Sequence, residues 1–280
     1  MITVGLLLAV LCAACKAVDT LINKDVMQQQ SVINHIFYRI IFATPILLVA
    51  ALMNWKLEPG VFWYMILYGV LEAVNIFCHQ FAVKKSDPLH IEIISKSKVI
   101  FVLILSFLLS IDTLTFWSTM GIAVFMIGVV LTINFQNRAG GDVTGWKGIV
   151  LEILSVLART FKPFVLKVCV QRSLSTSETM AFLSMIVAFA VLFAIFRPKL
   201  DFKGVDVKKY GGQAAVVAVS MLLSGWAVMY ANAVIVNAIE STTVIFVMII
   251  SAIAYRKKYP ALMIIGSIIS IIGIVLAIVL

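Results

Sequence analysis

Eleven ionisable side chains interrupt otherwise apolar runs in this sequence: the bases Lys16, Arg39, Lys96, Lys98, Arg159 and Lys162, and the acids Asp19, Glu72, Glu92, Glu152 and Glu240. A charge at the centre of a membrane-spanning helix costs roughly 2.5–3.5 kcal/mol on insertion scales, so such residues face a partner or a watery interior rather than lipid. Their spacing gathers them on shared faces. Cys12, Lys16, Asp19 and Asn23 recur at helical intervals, and so do Glu152, Ser155, Arg159 and Lys162. Glu72, Asn75 and His79 form a third polar face, Glu92 with Lys96 a fourth, and Asn237, Glu240 and Ser241 a fifth.

The chemistry available to these groups is ionic recognition. Lysines and the planar guanidinium fork of arginine can donate to a carboxylate or phosphate. The candidate substrate-binding residues are therefore Lys16, Asp19, His79, Lys96, Lys98, Arg159, Lys162 and Asn237. Glu72, Glu92 and Glu240 are the candidates for proton coupling, because a carboxyl group shielded from water can take up and release a proton in the working range. Trp226 and Tyr230 lie one turn apart, near Ser224, and could stack on a ring or cation, although plain packing explains them equally well. The structural alternatives stay open too. Lys16 with Asp19, and Glu92 with Lys96, could neutralise each other along one helix. Arg39 with His35 reads as structural, and Glu152 as a solvated entrance residue.

The elements that must position these groups follow from composition. Hydrophobic residues make up 62% of the 280, only 12% are charged, and mean hydropathy is +1.10. A soluble domain has roughly 45–50% apolar and about 25% charged residues. With roughly 20 apolar residues needed per crossing, ten spans are expected: Ile2 to Ile22, Val32 to Met53, Val61 to Val83, Leu89 to Ser110, Thr115 to Asn134, Trp146 to Cys169, Thr179 to Phe196, Gly211 to Val236, Ala238 to Tyr255 and Ala261 to Leu280. Continuous apolar runs, rather than short alternating ones, select helices over a barrel. The first span carries Lys16 and Asp19 and has no basic leader, so it reads as a mature helix and not a signal peptide. Cys12, Cys15, Cys78 and Cys169 fall inside spans and read as small packing residues, with no metal or disulfide framework.

Trp55, Trp63, Trp117 and Trp146 sit at span ends, as interfacial aromatics do. Pro45 and Pro163 lie deep in spans, where kinks are expected. Ser175-Thr-Ser-Glu178 reads as a capping box opening the seventh helix. Thirteen bases fall in the odd-numbered loops and three in the even ones, which by the positive-inside rule places both chain ends outside.

The chain also repeats itself. A shift of 145 lays Val99-Ile-Phe-Val102 on Val244-Ile-Phe-Val247, Ser106 on Ser251, Gly121 on Gly266 and Gly128 on Gly273. Near the start, a shift of 143 lays Gly5 on Gly148, Lys16 on Arg159, Lys24 on Lys167 and Gln28 on Gln171. The expected fold is all-α and polytopic, with a five-helix unit over 1–134, a linker over 135–145 and a second unit over 146–280. Five is odd, so the second unit must enter the membrane from the opposite side, and inverted repeats of this kind place a substrate site at the midplane. The glycines at seven-residue spacing in helices five and ten allow close packing, within the chain or in a homodimer through those helices.

These features resemble the ten-helix EamA-type carriers of the drug/metabolite transporter superfamily. The likeness rests on the five-plus-five pattern and on the stretches Lys98-Val-Ile-Phe-Val to Met126-Ile-Gly-Val-Val-Leu131 and Thr243-Val-Ile-Phe-Val to Ile271-Ile-Gly-Ile-Val-Leu276. Arg39 in Tyr38-Arg-Ile-Ile-Phe42 is similar to an arginine of that family's second helix. The sequence departs from the family pattern at Lys98 and Thr243, where a proline is usual, and at Lys257, where an acid is usual. The resemblance implies cytoplasmic termini, against the charge distribution.

No G-x-x-x-x-G-K-[ST] loop is present, so the expectation is a secondary carrier of a small polar metabolite, anionic or zwitterionic, in a cell membrane. Its expected partners are that substrate and membrane lipid, with no nucleic acid and no cofactor. The rival readings are a membrane-embedded enzyme on a lipid-linked substrate, against which stands the lack of H-E-x-x-H and G-x-S-x-G, and a receptor or scaffold, which needs no buried charge.

Overall fold

A computed structural model describes residues 2–27, 31–85, 94–109, 115–134, 146–200, 202, 205–256 and 260–279. Among these the chain is helical, apart from one backbone bridge between Leu57 and Ser175. In chain order come α1 (Ile2–Met27), α2 (Val32–Met53), a 3-10 turn (Pro59–Val61), α3 (Phe62–Lys85), α4 (Lys98–Leu109), α5 (Phe116–Asn134), α6 (Trp146–Gln171), α7 (Ser177–Phe196), α8 (Val207–Tyr230), α9 (Ala233–Glu240), α10 (Thr243–Tyr255) and α11 (Ala261–Val279).

Among the described residues, six helical stretches are long and apolar enough to cross a membrane. α6 is long enough, at 26 residues, but too charged to count among them, since Lys147, Glu152, Arg159, Lys162 and Lys167 interrupt it. The outer surface is apolar, with Leu7, Val49, Leu52, Phe107, Ile195 and Ile253 all exposed. Such a surface is suited to lipid, and all-helical architecture satisfies the backbone where water is absent. The chain is an integral, multi-pass membrane protein.

The element boundaries recur at the spacing found in the sequence. α2, α3, α4 and α5 start 145 residues before α7, α8, α10 and α11. Caps recur as well: the side chains of Ser31 and Thr176 accept from the N–H groups of Asn34 and Thr179. Thr176, not Ser175, is thus the N-cap of α7. Glu178 accepts from Trp226 Nε1 at 3.0 Å and Asn54 Nδ2 at 3.4 Å and does not close the expected capping box.

The eighth expected span ends earlier than hydropathy suggested. α8 stops at Tyr230, and Asn232 caps a new helix by accepting from Val234 N–H at 2.8 Å, so 233–236 belong to α9. The ninth span is itself broken at Ser241 and Thr242. At that break Thr242 N–H donates to Ile239 O at 2.9 Å, Thr242 Oγ1 donates to the same oxygen at 2.6 Å, and Ile245 N–H donates to Thr242 O at 2.8 Å. The segment before α4 repeats this pattern: Ser97 N–H and Oγ donate to Ile94 O at 3.1 and 2.6 Å, and Ile100 N–H donates to Ser97 O at 3.0 Å. Each hydroxyl takes up a carbonyl that the interrupted helix leaves open.

The most extensive helix contact is between α5 and α11, followed by α1 on α8 and α3 on α6. α5 and α11 run antiparallel: Ser118 Oγ donates to Ala277 O at 3.0 Å, and Ser270 Oγ lies 3.4 Å from Phe125 O. A Cβ built on Gly121 would fall 2.7 Å from Gly273 O, and one built on Gly273 would fall 2.7 Å from Gly121 O. Only glycine lets these backbones meet. Of the two expectations for the glycine stripes, packing within the chain is the one realised; a homodimer would have to use another surface of these helices.

Candidate functional site

A cavity of about 240 Å³ lies between the two halves of the chain, and most of the sequence-predicted residues meet there. Lys16, Asp19 and Arg39 reach it from α1 and α2, Glu72 and His79 from α3, and Lys96 and Lys98 from the first helix break. Arg159 and Lys162 enter from α6, and Asn237 and Glu240 from α9. Six basic and three acidic side chains therefore line it.

The charges pair across helices. Lys16 Nζ donates to Glu240 Oε2 at 2.6 Å, joining α1 to α9, and Arg39 donates to Asp19 Oδ2 at 2.7 Å, joining α2 to α1. Lys162 donates to Glu72 and also sits 5.0 Å over the Tyr68 ring. The expected pairing of Lys16 with Asp19 along α1 is not made, because each finds a partner on a neighbouring helix. Arg39, expected to be structural, is both a pair member and part of the cavity wall.

Glu152 differs most from expectation. Far from being a solvated entrance residue, it is 0% exposed and accepts from His79 Nδ1 at 2.9 Å and from Arg159. Arg159 also donates to Ser95 Oγ at 3.0 Å. The repeat places Ser95 opposite Glu240, as it places Arg159 opposite Lys16. The two contacts, Lys16 with Glu240 and Arg159 with Ser95, are therefore the same contact between the halves made twice, with each half supplying the base once. Glu240 gains further donors in Ser224 and in Cys12, whose Sγ lies 3.5 Å from it.

Lys98 stands apart from the other bases. It faces the cavity and, among the described residues, makes no hydrogen bond or ion pair. Its repeat counterpart Thr243 donates its hydroxyl to Glu240 O at 2.6 Å.

The EamA-like transporter family matches residues 3–134 and again 146–279. The chain belongs to that family. No curated protein matches it. A crystal structure described only as that of a protein shares the fold, with a TM-score of 0.77 and 13% identity over 99% of this chain and 96% of that one.

Two candidates fall outside this family member's cavity. Trp226 donates to Glu178, and Tyr230 is 45% exposed beside Gly5, so the four-residue spacing that paired them does not aim either ring at the ions. Glu92 lies outside the described residues. The cavity also takes in Tyr68, Gln80, Ser95 and Ser220, which the sequence reading did not single out. Ser95 and Ser220 could have been found from the repeat, since their counterparts, Glu240 and Asn75, were already candidates or their neighbours.

Proposed function

We propose that this chain is a secondary carrier that moves a small polar organic metabolite, anionic or zwitterionic, across a cell membrane by alternating access. The observation that supports this most is the ion-lined cavity between the two halves. Drug-sized ligands occupy pockets of roughly 300–1,000 Å³, so a cavity of about 240 Å³ suits a compact metabolite. Bases exceed acids along its wall, and Lys98 lines it without an ion pair among the described residues, which favours a negatively charged or zwitterionic cargo.

The two halves act as inverted five-helix repeats, ten crossings in all. The matching element boundaries, the two like helix breaks and the antiparallel α5–α11 contact support this reading. Each half supplies broken-helix ends at the cavity, the arrangement expected where inverted repeats share one site. Glu240 and Glu72, each held by a lysine from another helix, are the coupling candidates: protonating either carboxylate releases its lysine to the cargo. Flux of labelled metabolites into proteoliposomes tests the reading. Saturable uptake of an acidic or zwitterionic metabolite, with a higher half-saturating concentration in Lys98→Gln, is the expected result; no flux of any such compound would remove it.

A further inference from the structure

Different chemistry flanks the cavity toward the two ends of the helix bundle. At the junction of α1 with α2, five polar side chains from four helices form one buried network. Asn23 Oδ1 accepts from His35 Nε2 at 2.8 Å and from Gln213 Nε2 at 3.1 Å, and Asn23 Nδ2 donates to Gln80 Oε1 at 3.3 Å. With Nε2 donating, His35 Nδ1 accepts from the Tyr210 hydroxyl at 3.3 Å. Gln213 also donates to Asp19 at 3.2 Å, tying the network to the ion pair in the cavity wall. His35 is 0% exposed and Gln213 1%.

The repeat gives each member a counterpart. Asn23 corresponds to Leu166, His35 to Met180, Gln80 to Gly225 and Gln213 to Tyr68. Leu166, Met180 and Tyr68 pack together in one apolar cluster, and Leu166 touches the position that a Gly225 side chain would fill. This cluster sits at the opposite end. α2 is 22 residues long, about 33 Å at 1.5 Å per residue, and the loop after it is bonded to the α6–α7 turn through Glu58 N–H to Leu174 O at 3.0 Å.

We propose that Asn23, His35, Gln80, Tyr210 and Gln213 form a hydrogen-bonded gate at the α1–α2 end of the cavity, and that Tyr68, Leu166 and Met180 form an apolar gate at the other. This rests on the carrier reading above. A hydrogen-bonded polar network holds its members in one geometry and weakens as a unit when its hub is lost. Asn23 is that hub, with three of the bonds. Gln213 Oε1, buried and without a partner among the described residues, keeps the network short of full satisfaction, as suits a closure that must open. The apolar gate has no such hub and parts by separating surfaces.

The test uses a cysteine at Thr20, which lines the cavity on α1, and a membrane-impermeant maleimide applied to one face of proteoliposomes at a time. Labelling of the parent protein, with its native cysteines, is the background. Asn23→Ala should speed labelling from the α1–α2 face by about tenfold and leave the other face unchanged. Leu166→Ala should do the reverse. Gln80→Ala, which removes a single peripheral bond, should act in the same direction as Asn23→Ala but more weakly, and decides the matter if Asn23→Ala does not fold. Equal labelling of the parent and both network variants, or a response at the wrong face, overturns the gate. The labelling needs no substrate. Gate responses without flux would therefore sink the carrier reading alone, and flux with no labelling response would sink the gate alone.

Discussion

The break at Ser97 and the break at Thr242 share a backbone and differ in charge. In each, a hydroxyl and its own N–H donate to the carbonyl three residues earlier, and the next helix begins one residue later. Around that common frame the first break presents Ser95, Lys96 and Lys98, and the second presents Glu240, Ser241 and Thr243. The residues that shape the chain have stayed alike, whereas those that meet the cavity have diverged into a basic side and an acidic side. The backbone frame is shared by the two halves, and the ions make the cavity wall asymmetric.

The largest expected effect tests that asymmetry at Glu152, whose counterpart in the first half is Ala9. Glu152→Ala should destabilise the protein by about 3 kcal/mol, because Arg159 then keeps a charge without its carboxylate; thermal unfolding in detergent measures it, and a loss under half that size would show that the pair is not structural. Next, Glu240→Gln should lower flux about 100-fold, as expected for loss of a charge-assisted contact, whereas Ser95→Ala should lower it only about threefold. Equal losses would mean that the two sides are functionally alike. Lys98→Gln should raise the half-saturating concentration of an anionic substrate about tenfold, with Thr243→Val close to normal. Proton coupling is read by imposing a pH gradient: acceleration of flux should vanish in Glu240→Gln or Glu72→Gln, and survival in both would remove these acids. The smallest effect belongs to the shared frame. Ser97→Ala and Thr242→Ala should each cost about 1 kcal/mol, and a marked difference between them would break the equivalence of the two breaks.

Much of this architecture was legible in the sequence because it depends on local patterns. Hydropathy marked most helices, and the offset of 145 fixed which helix corresponds to which, although the cap of α7 proved to be Thr176 and not Ser175. The polar stripe of α6 also pointed correctly to the cavity for Arg159 and Lys162. What depended on contacts between helices was not legible. No periodicity in α1 indicates that Lys16 turns to Glu240 rather than to Asp19, and Glu152 looked solvated because nothing local reveals His79 closing over it from α3. The break at Thr242 carries neither glycine nor proline, so hydropathy ran through it. Trp226 and Tyr230 misled because an aromatic at helical spacing has the same appearance whether it faces a cavity, a carboxylate such as Glu178, or the outside.

The glycine contact between α5 and α11 limits how this molecule can move. Gly121 lies against Gly273, and Gly128 against Gly266, main chain on main chain with no side chain between them. Two rods touching so closely at two successive points cannot slip lengthwise without forcing larger residues into a space that only a hydrogen fits. One half can still swivel on the other about that line. In the alternating-access reading proposed above, the pair would serve as an axle and the helices around it would provide the travel.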